Sequence, residues 1–186
     1  MFKFFRKIRK VTDERDTALA LYSEAIRQAR TPLFYEQCGV ADTPDGRFDM
    51  IMVHVYLVLR RLKGGDERCK VLAQTLFDIM FDDMDQNLRE MGAGDIGVAY
   101  LVKDMVKAFY GRIAAYDEGL EDTGGDLLEA ALRRNLYRNI DPVPDQLSVM
   151  AEYVREQDGE LAAQAIDGFL AGSVHFSLPP PIGDAP

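Results

Sequence analysis

Residues 47–63 read RFDMIMVHVYLVLRRLK, and this run decides the fold class. Phe48, Ile51, Met52, Val55, Leu59 and Leu62 recur at steps of three and four, the spacing of one helix face. Met50, Val53, Leu57 and Val58 occupy the other side and leave little polar surface. A helix that is apolar all round belongs at the centre of a bundle. Its apolar run from Met50 to Leu59 contains His54 and falls well short of the roughly 20 apolar residues of a membrane-spanning helix. Gly64-Gly65 stops it.

Helical periods continue on both sides. Ala73, Leu76, Phe77, Met80, Phe81, Met84 and Leu88 mark a helix over 66–91, and Gly92 and Gly94 make the break after it. Asp95 is placed to cap the next helix, which runs to about residue 118 and carries Val98, Leu101, Val102, Met105, Phe109 and Ile113. Three shorter helices are expected over 126–138, 143–156 and 159–171. Upstream, Ala18, Leu21, Tyr22, Ala25, Ile26 and Ala29 form a stripe that starts behind a Thr12 or Asp13 cap and ends at Thr31-Pro32. Residues 34–46, with Gly39, Pro44 and Asp45-Gly46, read as irregular. No internal repeat and no strand pattern appears. The fold class is therefore all-α, a single compact domain of about six to seven helices over 12–171.

The two ends differ from this body. Residues 1–10, MFKFFRKIRK, carry five Lys/Arg and no acid, so the rest of the chain stands at −14 within a net charge of −9. Phe2, Lys3, Phe4, Phe5, Arg6, Lys7, Ile8 and Lys10 suit a basic amphipathic helix over 1–11 at an anionic membrane surface. The blander use of the same segment is a helix extension docked on the bundle. The C-terminal SVHFSLPPPIGDAP, within 172–186, reads as an extended, proline-rich tail.

An acidic body argues against nucleic-acid binding, which needs a basic footprint. Cys38 and Cys69 form no CxxC and read as reduced thiols. With 47% hydrophobic residues the chain can bury a core without disulfides or metals. No nucleophile–base pair, P-loop or dinucleotide fingerprint is present, and no cofactor, metal or catalytic residue is expected.

Charged residues inside helical apolar patterns are costly unless paired. His54 needs a partner for its ring, and the acidic helix that follows could supply one. A buried structural role, a ligand or catalytic role, and a client contact all remain open for it. Asp78, Asp82, Asp85 and Arg89 step by four, three and four along one helical face. Arg89 calls for a bidentate carboxylate from Asp49, Asp78 or Asp85. Asp42, Arg47, Asp49, Asp78, Asp95, Gly111 and Tyr116 read as a structural cluster, in which Arg47 and Asp49 bridge to later helices. Gly111, in mid-helix, points to a close helix–helix approach. Met50, Met52, Met80, Met84, Met91 and Met105 concentrate in three helices, either as core filling or as an adaptable surface for apolar segments.

Several short motifs recur in a fixed order: Phe34-Tyr35, Gly39-Val40, Asp42-Thr43, Asp45-Gly46-Arg47-Phe48-Asp49, His54, Leu76-Phe77, Met84-Asp85, Leu88-Arg89-Glu90-Met91-Gly92, Gly94-Asp95, and Phe109-Tyr110-Gly111-Arg112 through Tyr116. In this order they resemble the ubiquinol–cytochrome c chaperone family, over about residues 19–138. The resemblance implies a non-enzymatic chaperone that binds newly made cytochrome b for the bc1 complex, together with a small partner subunit. Client contacts are then expected from Met50, His54, Met80, Asp82, Met84, Asp85, Arg89, Glu90, Tyr100 and Arg112. The chain lacks a convincing presequence and so looks like a bacterial member, cytoplasmic and peripheral on the inner membrane's cytoplasmic face. The alternative use of the same groove is to carry a lipid or other hydrophobic small molecule.

Overall fold

A computed structural model describes residues 2–92 and 94–180, with the side chains of residues 2–12 and 96 outside that description. Eight helical segments follow one another: α1 (Phe2–Ala29), α2 (Leu33–Glu36), α3 (Pro44–Leu62), α4 (Glu67–Glu90), α5 (Asp95–Glu121), α6 (Asp126–Asn135), α7 (Pro144–Ala163) and α8 (Ile166–Leu170). Among the described residues there is no strand. The all-α expectation holds, and two of the segments, α2 and α8, are single short turns.

The run that opened the sequence reading is the centre of the molecule. Every residue from 49 to 58 in α3 is buried. Thr43 starts the helix by accepting the Gly46 N–H at 3.2 Å, and Pro44 occupies the first position, where its missing N–H costs nothing. A side chain at residue 46 would put its Cβ 2.1 Å from the Ala41 carbonyl oxygen, so only glycine fits there. Helices α1, α4 and α7 pack around α3, while α5 and α6 pair with each other, α6 against α7 and α5 against α4, with side chains of α5 also meeting α3. After α8, residues 173–180 run without helical structure, with Val174 and Pro179 buried.

Three local expectations are corrected. Helix α1 runs unbroken from Phe2, with no cap at Thr12 or Asp13. Thr and Asp are good caps but are tolerated inside a helix, and neither Gly nor Pro interrupts the stretch. Helix α7 continues through Gly159 to Ala163, where two helices were expected. The residues read as irregular before α3 include the turn α2.

The expected close approach at Gly111 is absent, since a Cβ there would meet nothing within 4 Å. Gly119, further along α5, makes that contact instead. A Cβ on it would lie 2.6 Å from the Leu128 Cα of α6.

Candidate functional site

Between the end of α1, the start of α3, the last turns of α4 and the first half of α5 lies an open groove of about 860 Å³. Its apolar lining comes from Ile26, Phe48, Ile51, Met52, Met84, Leu88, Met91, Leu101 and Met105. The groove exists because α4 and α5 form a hairpin turned at Gly92 (φ 91°), and the first half of α5 keeps much of its surface in solvent. Leu101 and Met91 stay exposed there, while Val98 is buried. Four of the lining residues are methionines, flexible and polarizable side chains that fit irregular apolar partners.

Charged groups line the groove as well, Arg30, Arg47, Arg112 and Arg138 with Asp42, Asp45, Asp83 and Asp104, and two of these guanidiniums meet the buried carboxylate of Asp49. Asp49 of α3 is only 3% exposed and Arg112 of α5 only 8%. Arg112 Nη1 stands 2.8 Å from Asp49 Oδ1 and also donates to the Met52 sulfur at 3.0 Å. Arg138, just after α6, donates from Nε to Asp49 Oδ2 at 2.9 Å. The Arg112 contact is a charge contact off the N–H direction, so Oδ1 accepts no hydrogen bond. Burial pushes the Asp49 carboxyl above its ordinary value, more than the two guanidiniums pull it down. Arg112 and Arg138 also line the groove itself.

The remaining expected residues divide clearly. Met84 lies in the groove, but Met50, His54 and Met80 are wholly buried core and present no surface to a partner in this conformation. Asp82 is exposed and pairs with Arg15 of α1 at 3.7 Å. Arg89 is exposed rather than buried. It joins Asp85, one turn back, to Asp95 at the start of α5, and so clasps the hairpin. Asp95 is thereby engaged, and the N-cap position is Gly94. Glu90 accepts from Gln86 at 3.0 Å, and Tyr100 stands 70% exposed on α5.

Within the expected structural cluster, Asp49 ties α3 to α5 and to the segment after α6, while Asp95 ties α5 to α4 through Arg89. Arg47 pairs with Asp42 at 2.6 Å on the surface, and Arg138 takes the bridging place foreseen for Arg47. Asp78 is exposed and accepts from Gln74. Tyr116 is buried, its ring centroid 5.3 Å from that of Tyr56. The residues of the basic amphipathic segment, Phe2 to Lys10, lie on α1, and their side chains are outside the described set.

His54 finds its partners in the core and not on the acidic helix. Its Nδ1 meets the Met50 carbonyl at 2.8 Å and its Nε2 the Tyr153 hydroxyl at 2.8 Å. Phe34 and Phe176 face its ring edge-on. Burial holds its pKa down at about 4, so the ring is neutral at physiological pH.

Sequence reasoning missed two polar features. One is Arg138, whose signal was a lone Arg after a helix end. The other is Arg60, which donates to Asp117 at 2.6 Å and to Asp158 at 2.9 Å, while Lys63 and the Tyr56 hydroxyl also donate to Asp117. Among the described residues, no group of three His, Cys, Asp or Glu is arranged to hold a metal ion, and no helix is long and apolar enough to cross a membrane.

Fold and site together define an all-α protein with an open, methionine-lined groove over a partly buried Arg–Asp base. The family model for the ubiquinol-cytochrome C chaperone matches residues 36–176, and the chain belongs to that family. Ubiquinol-cytochrome-c reductase complex assembly factor 1 of Xenopus laevis is 30% identical over 75% of this chain and 70% of its own length. The mouse protein of the same description is 31% identical over 86% of this chain, which spans 54% of that relative. The crystal structure of the Cbp3 homolog from Brucella abortus superposes with a TM-score of 0.83 at 34% identity, covering 95% of this chain and 96% of that one.

Proposed function

We propose that this chain is a non-enzymatic assembly chaperone for ubiquinol–cytochrome c reductase, and that the groove between α3, α4 and α5 holds its client. Family membership supports the assembly role, and the groove supports a binding mechanism. The observation that carries the reading is the groove's composition. Leu101 and Met91 stay exposed and Met52, Met84 and Met105 line the same groove beside the guanidiniums of Arg30, Arg47, Arg112 and Arg138, where a bundle with nothing to bind would close the first half of α5 down onto α3. The client is cytochrome b. Its apolar segments would be shielded against the methionine wall, while Arg112 and Arg138 set the polar register. The basic stretch from Phe2 to Lys10 places the protein on an anionic lipid surface, the cytoplasmic face of a bacterial inner membrane. The reading as a lipid carrier draws no support from the relatives.

Site-specific photocrosslinkers at Leu101 and Met91, followed by mass spectrometry of the adducts, test the proposal in cells. Cytochrome b adducts from both positions are expected. Adducts confined to lipid or to unrelated proteins from a well-expressed chain would overturn it.

A further inference from the structure

On the opposite side of α3 from the groove's charged base, the C-terminal segment is held by side-chain amides. Gln164, at the end of α7, donates to the His175 carbonyl at 2.7 Å and accepts from the His175 N–H at 3.1 Å. Two residues on, the Ser177 N–H donates to Gln157 at 3.1 Å, and Gln28 of α1 donates to the Ser177 carbonyl at 2.6 Å. In an extended chain the main-chain groups of alternate residues face one edge, as in a sheet. Three glutamines thus stand where a neighbouring strand would be. Between them Phe176 sets its ring edge-on to His54, centroids 5.2 Å apart, and Val174 is buried two residues before it.

Gln28 and Gln157 are 2% and 0% exposed. A bundle that only needed a seal would place apolar side chains there, because amides left unpaired in a core are costly. What these amides recognise is main chain, which every peptide carries, so apart from the Ser177 hydroxyl, which donates to Glu160 at 2.7 Å, the polar fit is not tied to this tail. Among the described residues, no main-chain hydrogen bond ties 174–180 to another main-chain group. A segment held in this way opens at a lower free energy than helices do. Gly172, at φ 81°, lies just before it.

We infer that this face of α1 and α7 is a binding site for an extended peptide, filled in cis by residues 174–179. It takes, in trans, a segment with an apolar residue and an aromatic one two positions later whenever the strap lifts. This inference stands apart from the client groove and does not depend on it.

Two measurements on the full chain test it. In hydrogen exchange, the His175 and Ser177 amides should exchange at least tenfold faster than those of α3. Exchange of both only through global unfolding would overturn the inference. In fluorescence anisotropy, a labelled peptide of residues 172–180 should bind the Phe176→Ala chain at least tenfold more tightly than the unaltered chain, whose strap competes. Adding Gln164→Ala, which removes the two side-chain hydrogen bonds to the His175 main chain, should weaken that binding about fivefold or more, the effect of losing a net hydrogen-bond contribution. A helical Phe176→Ala chain that binds no peptide, or one indifferent to Gln164, would also overturn it.

Discussion

Arg112 of α5 stands 2.8 Å from Asp49 Oδ1 of α3, and the same carboxylate takes a second guanidinium, from Arg138, on its other oxygen. One buried side chain thus joins the central helix, the groove-bearing helix and the segment after α6. Replacing Asp49 by Ala leaves Arg112 buried with no counter-charge, and loss of roughly 3–5 kcal/mol is expected for such a break. Arg138→Ala removes a half-exposed partner and should cost only about 1 kcal/mol. Urea unfolding of the two variants checks the order, and equal losses would contradict this account of the cluster.

Gly111 and Gly119 of α5 should respond in opposite directions. Gly111→Ala adds a methyl to open space in a helix interior and should stabilise the protein by about 1 kcal/mol, the helix-propensity difference. Gly119→Ala drives a Cβ against the Leu128 main chain, which cannot turn aside as a flexible side chain would, and should destabilise it. Paired thermal melts decide this.

His54 contributes a pH dependence of known sign. Its folded pKa of about 4 lies below the ordinary 6.5, so the unfolded chain binds the proton first. The contribution is fully present above pH 6.5 and fades as pH falls toward 4, by about 3 kcal/mol at most. Denaturant midpoints of the parent and of His54→Gln should therefore fall with different slopes across that window. Parallel curves would show that His54 is protonated as readily when folded as when unfolded.

Replacing Phe4, Phe5, Lys7 and Lys10 should release the protein from anionic vesicles in a flotation assay, because apolar insertion and charge attraction are removed together. Unchanged flotation would remove the membrane role assigned to α1.

Leu101→Asp places a charge in the groove at a residue already 47% exposed. Its effect on stability should stay within about 0.5 kcal/mol, as for most surface substitutions. Crosslinking of the client should nonetheless be lost. A folded variant that captures its client normally would separate the groove from the function.

Much of this molecule was legible from periodicity. The α3 pattern marked a central helix buried nearly all round, and residues 49–58 are buried without exception. The methionines divided in a way no pattern reveals: Met50 and Met80 are sealed in the core, Met52 and Met84 are buried where they line the groove, Met105 is half-buried there, and Met91 is exposed. Helical spacing says which residues share a face, but not which neighbouring helix that face meets. The same limit explains Gly111 and Gly119, two glycines of one helix of which only the second comes against another backbone.

Polar partners were the least legible. Asp49 was read as paired, but its second guanidinium comes from Arg138, 89 positions away along the chain. The buried structural role open to His54 is the one observed, but its partner is Tyr153 and not the acidic helix that could have supplied one. The sequence by itself determined that the chain is helical, which helix is central, where the acidic and basic charge lies, and the family resemblance, because these follow from local spacing and composition. Only the tertiary structure decided which charges meet, which methionines are open, and that a tail is read by three glutamines. Each of these depends on how helices distant in sequence come together when apolar faces are buried, and local spacing carries no record of that.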